Sequence, residues 1–158
     1  MAIAIEPARA QDLPPMADLL GRLFAQEADF HPDPEAQLRG LRLILAAPDQ
    51  GQLLVAREGE AVLGMVSLLW SVSTALGGPV AWLEDLVVAP ERRGQGLGRA
   101  LLAAAVALCR DRSLDRITLL TDRDNARARA WYAASGFRAS AMVPMRLLLN
   151  QAPHGPGR

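Results

Sequence analysis

The chain has 158 residues, 51% of them apolar and 22% charged, which suits one domain around one core and excludes a disordered chain. Seventeen basic residues, all arginine, balance 17 acidic ones, and they form no dense basic run or interleaved aromatic ladder of the kind that binds nucleic acid. The single cysteine, Cys109, excludes an internal disulfide, and no Cys/His cluster has metal-ligand spacing, so a reducing cytoplasm and no metal are expected.

No charged segment followed by an apolar one opens the sequence, so no signal peptide is expected. The uncharged span from Ala61 to Leu83 is long enough for a membrane helix, but SVSTALGGP (Ser71 to Pro79) interrupts it with polar and helix-breaking residues. It reads as two strands and a turn. The zero net charge conceals an asymmetry. Residues 1–60 carry 5 arginines against 10 acids, and residues 91–146 carry 11 arginines against 5 acids. Chance scatter over a surface explains this, as does an anionic ligand on the C-terminal half with a cationic one near the N-terminal half.

In chain order, Ile3 to Ala8 alternates as a short strand. Leu13, Met16, Leu19, Leu20, Leu23 and Phe24 recur at helical spacing, with Asp12 placed as N-cap before Pro14 and Pro15. A second helix is expected from about Pro34 to Ala46, carrying Leu38, Leu41, Leu43 and Leu45, and PDQGQ (Pro48 to Gln52) marks a turn. Strands follow at Leu53 to Arg57 and Ala61 to Trp70, joined at Glu58-Gly59, and a third arm runs from Val80 to Val88. A hairpin centred near Leu76 would set Trp70 opposite Trp82 as a cross-strand pair.

The alanine- and leucine-rich helix Gly96 to Arg112 is apolar on most sides and suits close packing on a sheet. Arg116 to Thr121 is a short strand, and Asn125 to Ser135 a helix ended by Gly136. Phe137 onward, especially Met142 to Leu149, is expected to supply closing strands. The fold class is therefore mixed α/β, a mainly antiparallel sheet of about six to seven strands with helices on both faces. Residues 1–150 read as one domain and residues 151–158 as a disordered tail. The late strands around Val143 to Leu149 offer a surface for a homodimer.

Between the third arm and the long helix stands VVAPERRGQGLGRALL, with glycines at 94, 96 and 98 among Arg92, Arg93 and Arg99. Alternating glycines leave backbone N–H groups unshielded at a helix N-terminus, whose dipole favours an anion such as a pyrophosphate. A flexible surface turn would need fewer glycines. A P-loop would require Lys and then Ser or Thr, where Arg99 and Ala100 stand. A dinucleotide fingerprint needs G-x-G-x-x-G, not G-x-G-x-G, although Asp122 after the next strand keeps that alternative open.

LEDLVVAPERRGQGLGRALL resembles the acyl-CoA binding motif of the GNAT superfamily of N-acetyltransferases, Arg/Gln-x-x-Gly-x-Gly/Ala, filled here by Arg93, Gly96 and Gly98. A second family element, Asn followed seven residues later by Tyr, stands in NARARAWYAASGF as Asn125 and Tyr132. The two blocks and the strand order cover most of the chain from Leu53 onward, and the LED tripeptide is similar to the diamine acetyltransferase branch. The resemblance implies acetyl-CoA as co-substrate. Main-chain groups of Leu86 to Val88, chiefly Leu86 and Val88 with Val87 between them, would pair with the pantetheine arm as an added strand. Amides of Arg93, Gly94, Gln95, Gly96, Leu97, Gly98 and Arg99 would hold the pyrophosphate. Asn125 and Ala128 would lie along the ligand, and Asn125 also suits an N-cap.

The implied chemistry is direct acyl transfer to a primary amine of a small molecule or an exposed protein amine. A lysine-like amine is neutral on the order of once per thousand molecules at pH 7, so a base is needed. Glu84 fills the family position and, by strict alternation, shares a face with Leu86 while Asp85 points the other way. Tyr132, the sole tyrosine, is the family's proton donor to the leaving sulfur. Glu27 and Asp29 in QEADFHPD would attract a cationic amine, and Trp82 would line the site. A structural ion pair for Glu84, a packing role for Tyr132 and an unpartnered acidic loop are the bland alternatives. A non-catalytic acyl-CoA sensor and a nucleotide-binding oxidoreductase are the competing functions.

Overall fold

Residues 51–88 hold apolar runs broken by turn residues at 59–60 and 74–77, and they build a three-strand meander around which the rest of the first half of the chain packs. A computed structural model describes residues 2–150; the tail expected at residues 151–158 lies outside them. The sequence reading takes residues 1–150 as one domain. The structure groups the described residues into two compact units, one ending at Asp122 and the other starting at Arg123.

The first unit runs β1 (Ile3–Pro7), a 3-10 turn (Ala10–Asp12), α1 (Leu13–Phe24), α2 (Pro34–Leu45), β2 (Gly51–Glu58), β3 (Ala61–Ser73), β4 (Gly78–Val88), a second 3-10 turn (Pro90–Arg92), α3 (Leu97–Asp111) and β5 (Ile117–Leu119). The strands lie in chain order, antiparallel from β1 to β4, with β5 added parallel to β4. The meander is joined by tight turns, whereas the parallel pair requires the crossover that α3 supplies.

On one face α1 buries Leu13, Met16, Leu19 and Leu20, and α2 buries Leu41, against Leu53, Val55, Met65 and Val87. Leu43, two positions from Leu41, falls on the far side of its helix and is 73% exposed. On the other face α3 brings Leu101, Leu102 and Ala105 into the core. A Cβ on Gly64 would stand 2.9 Å from Leu101 Cδ1, so the bare backbone there sets how closely α3 seats. The expected helices on both faces of a mainly antiparallel sheet are present. No helix among the described residues is long and apolar enough to cross a membrane.

Asp12 departs from its expected role. It precedes α1, yet its carboxylate does not cap that helix. Its oxygens accept instead from Arg57 Nη1 at 2.5 Å and Nη2 at 2.7 Å, and from the Arg9 amide at 2.7 Å. Arg57 Nε also donates to Glu6 at 2.6 Å. Both Asp12 and Arg57 are buried, where a two-bond ion pair outweighs a single capping bond. Capping of α2 is conventional: Asp33 accepts from Ala36 N and donates from its own N–H to Gln37.

The tryptophan pair does not form. Ser73 pairs with Gly78 around a four-residue loop, which sets Trp70 opposite Ala81 and Leu69 opposite Trp82. A one-residue difference in register sends two side chains to opposite faces. Arg112 lies over the Trp70 ring instead, 4.6 Å from its centroid.

The second unit contains α4 (Ala126–Ala134). Asn125 caps it through a bond from Ala128 N, and Gly136, at φ 98°, ends it. The expected closing strands are absent from the described residues: residues 137–150 form no strand, so the sheet has five strands rather than six or seven. Met142, Met145, Leu147 and Leu149 are all more than 80% exposed. Apolar alternation confers strand propensity only where a ladder partner completes the hydrogen bonds, and Pro144 withholds one donor. The homodimer surface expected on those strands loses its element.

Candidate functional site

The site begins where β4 and β5 part. Their pairing ends at Leu83 with Leu119, so from Glu84 to Val88 the edge of β4 away from β3 has no strand beside it among the described residues. Which main-chain groups face that edge follows from one bond: Ala89 N–H donates to Leu63 O at 2.8 Å, toward β3. Alternate residues of a strand direct both their N–H and C=O to the same side. Val87 therefore faces β3, and Leu86 and Val88 present their groups to the open edge. Val87 is also a core side chain, 4% exposed, so of the three expected contacts it offers a ligand nothing on that edge.

Beyond the strand, the second 3-10 turn carries the chain to Gly94 and Gly96, at φ 77° and 82°. A Cβ at either would meet nothing within 4 Å. The left-handed conformation, not crowding, is what requires glycine there. Gly96 directly precedes α3, and its carbonyl accepts from Ala100 N. Among the described residues, none of the N–H groups from Gly94 to Arg99 donates to another main-chain group. These are the free donors of a helix N-terminus, widened by the turn before it.

The arginines around the turn divide by occupation. Arg92 is engaged by Glu58 at 3.1 and 3.4 Å and by Gln95 at 3.0 Å, a contact that holds the Glu58 carboxyl below its usual range. Its charge fastens the turn to β2. Arg93 and Arg99 are exposed and form no ion pair among the described residues, which leaves them for an anion.

At the parting point the β3–β4 ladder is irregular. Ser67 pairs with Asp85, yet Leu68 pairs with Leu83, so Glu84 is an extra residue without a partner. A bulge of this kind breaks strict alternation. Asp85, two residues before the core side chain Val87 and opposite Ser67, lies on the α1–α2 face. Glu84 is exposed. Alternation along β4 therefore does not separate Glu84 from Asp85. Trp82, paired with Leu69, lies half-buried at the same end of the strand.

The loop after α1 reaches this region. Ala28 N donates to Asp122 Oδ2 at 3.2 Å, tying the loop to the residue that follows β5. Glu27 is half-buried, and burial together with the charges of Asp85, Asp122 and Asp29 pushes its carboxyl up to about 7. Burial and then Glu84 raise Asp85 to about 6, while the Ser67 hydroxyl pulls the other way. The sequence suggested Glu27 and Asp29, but nothing in spacing marked Asp85 or Asp122 as their neighbours. No metal-holding group of His, Cys, Asp or Glu occurs among the described residues.

Asn125, Ala128 and Tyr132 belong to the second unit. Tyr132 is half-buried on α4, its ring edge-on to Trp131 and Phe137 at centroid distances of 4.9 and 5.6 Å. The Asn125 side-chain oxygen accepts from Ala128 N at 3.1 Å.

Comparison with known proteins gives a consistent result. The Acetyltransferase (GNAT) family profile matches residues 14–137. A mycothiol acetyltransferase of Clavibacter michiganensis subsp. michiganensis is 34% identical over 143 residues, covering 89% of this chain and 44% of the relative. The chain thus spans less than half the length of that relative. An aminoalkylphosphonate N-acetyltransferase of Salmonella typhimurium is 29% identical, covering 84% of this chain and 83% of the relative. In fold, an aminoglycoside N-acetyltransferase solved in complex with CoA matches with a TM-score of 0.77 at 19% identity, covering 93% and 95% of the two chains.

Proposed function

Because this chain belongs to the acetyltransferase (GNAT) family, we propose that it transfers an acetyl group from the thioester of acetyl-CoA directly to a primary amine. The observation that carries this reading is the open edge of β4, which runs into a left-handed glycine turn and a set of helix N-terminal donors without main-chain acceptors among the described residues. Leu86 and Val88 offer main-chain groups at the spacing an extended amide-bearing arm can match. Amides from Arg93 to Arg99, with the Arg93 and Arg99 side chains, suit a pyrophosphate. By the family motif, Asn125 and Ala128 are assigned to the cofactor in this proposal.

The residues divide the remaining work. A carboxylate of the bulge, Glu84, meets the incoming ammonium and takes part in removing its proton. Tyr132 gives a proton to the sulfur as the C–S bond breaks, so that the thiol departs neutral. Trp82 lines the acceptor side, and Glu27 and Asp29 draw a cationic amine toward it. The acceptor is a small-molecule amine or an exposed protein amine. The relative named an aminoalkylphosphonate N-acetyltransferase supports acetyl transfer to nitrogen, and the one named a mycothiol acetyltransferase supports acetyl transfer.

The test is release of free thiol from acetyl-CoA against a panel of alkylamines, aminoalcohols, amino acids, aminoglycosides and peptides. Turnover with at least one amine is expected. Calorimetric binding of acetyl-CoA without thiol release across the panel would favour an acyl-CoA sensor. Tight binding of NAD with none of CoA would favour an oxidoreductase.

A further inference from the structure

On the α1–α2 face of the first unit, carboxylates from three separate places in the sequence come together. Glu27 is contributed by the loop after α1, Asp85 by the bulge of β4, and Asp122 by the segment after β5. The loop is held on both sides of Glu27. The rings of Phe24 and Phe30 pack at a centroid distance of 5.5 Å, and the Ala28 amide is bonded to Asp122. Asp85 is fixed from β3, since the Ser67 hydroxyl donates to its carboxylate at 3.3 Å and accepts from its amide at 3.1 Å.

Among the described residues neither Glu27 nor Asp85 is in an ion pair, although arginine is abundant and four arginines elsewhere in the first unit are so engaged. Like charges brought together and partly desolvated cost energy, and no arginine among the described residues offsets it at Glu27 or Asp85. Such an arrangement is characteristic of places where a cation arrives or a proton moves. It also lies beside the point where Leu86 and Val88 open their edge to a ligand.

We propose that Glu27 takes the proton from the acceptor ammonium, with Asp85 holding that ammonium beside it. The inference rests on the N-acetyltransferase reading and adds a proton acceptor deeper than Glu84, which remains the first contact of the incoming amine. In the step, one N–H bond of the ammonium breaks and an O–H bond forms on Glu27. The freed lone pair attacks the thioester carbonyl; the C–S bond breaks, the sulfur receives its proton from Tyr132, and the second proton that the nitrogen loses on becoming an amide restores the Tyr132 hydroxyl by way of solvent. Glu27 then returns its proton to solvent as the amide leaves. Raising a carboxyl from 4.5 to about 7 makes proton transfer from an amine less uphill by about two and a half powers of ten. The groups facing Glu27 are Asp85 from β4, Asp122 after β5 and Asp29 from its own loop; all are acidic, and all act in the same direction.

The experiment is the pH dependence of kcat/KM for the full chain and for Glu27→Gln, Asp85→Asn and Glu84→Gln. It uses saturating acetyl-CoA and the amine of the panel that the wild-type chain turns over best. The wild-type rate should rise through a limb near pH 7. Glu27→Gln should remove that limb and lower the plateau by about 10²-fold or more. Asp85→Asn removes a charge that lifts Glu27, so the limb should move to lower pH, with KM for the amine raised. Glu84→Gln should lower kcat/KM, because Glu84 is the first contact of the amine, while the limb stays near pH 7. A limb that stays in place in both Glu27→Gln and Asp85→Asn, or that follows Glu84→Gln, overturns the inference and leaves the transferase intact. Absence of turnover by the wild-type chain overturns the transferase reading and this inference with it.

Discussion

Ser67 and Asp85 exchange two hydrogen bonds across the β3–β4 ladder: the hydroxyl donates to the carboxylate at 3.3 Å and accepts from the amide at 3.1 Å. The pair sits at the bulge, so the same contact that fixes the register also favours the charged form of Asp85. Ser67→Ala removes the donor and should raise the Asp85 carboxyl further above about 6. A neutral-strength hydrogen bond of about 0.5–1.5 kcal/mol corresponds to at most about one pKa unit. Titration of the Asp85 carboxyl carbon by NMR measures it; an unchanged midpoint would show that burial and the Glu84 charge set this group without Ser67.

The open edge of β4 makes opposite demands on neighbouring positions. Val88→Pro deletes an N–H that faces away from β3, so the ladder survives and acetyl-CoA affinity should fall. Val87→Pro deletes a ladder donor inside the core and should unfold the sheet at a lower temperature. Thermal melts with calorimetric titration of acetyl-CoA distinguish the two. Equal affinity in Val88→Pro and the wild type would remove strand-like pairing with the ligand.

The glycine turn depends on conformation. Since a Cβ at Gly96 meets no neighbour, Gly96→Ala should cost only the left-handed backbone penalty of about 1–2 kcal/mol. Gly96→Asp shares that penalty and adds a negative charge among the donors. Its affinity for acetyl-CoA should therefore fall well below that of Gly96→Ala, with a similar melting temperature. Matching affinities would place the diphosphate elsewhere.

The buried pair of Asp12 and Arg57 should govern acid stability. The Arg57 hydrogen bonds hold the Asp12 carboxyl below its ordinary range. A carboxyl with a lower pKa in the folded state stabilises the fold above its unfolded value, near 3.9, and loses that contribution as pH falls through the folded value. Asp12→Ala leaves the guanidinium buried without its main partner and should cost about 3–5 kcal/mol at neutral pH. Denaturant unfolding from pH 7 down to pH 2 should show the difference from wild type shrinking as the pH falls; a constant difference would mean the pair contributes through packing alone.

Tyr132→Phe keeps the ring packing with Trp131 and Phe137 and deletes only the hydroxyl. Turnover should fall by about 10²–10⁴-fold if that hydroxyl is the proton donor, while the dissociation constant for acetyl-CoA stays within about twofold. Stopped-flow thiol release and calorimetry provide the two numbers. Undiminished turnover would transfer the role to solvent.

The amino-acid sequence by itself determined the elements and the nature of the turn. Helical spacing from Leu13 to Phe24, apolar runs broken by turn residues through residues 51–88 and glycines at 94 and 96 are local properties. Backbone sterics and side-chain periodicity act within a few residues, so they can be read without partners. The family motif was legible for the same reason, since Arg93, Gly96 and Gly98 lie within one turn.

Only the tertiary structure decided the rest. One unpaired residue at the bulge redirected Glu84 and Asp85, and an even-length hairpin loop put Trp70 and Trp82 on opposite faces. Asp12 abandoned its cap for Arg57, a partner supplied by another strand. Met142 to Leu149 read as strand and formed none, because a strand needs a neighbour to complete its hydrogen bonds. Glu27, Asp85 and Asp122 carry no shared signal in the chain. Register, burial and charge proximity depend on distances in space between segments far apart in sequence, and those distances come into being only when the sheet and its helices assemble.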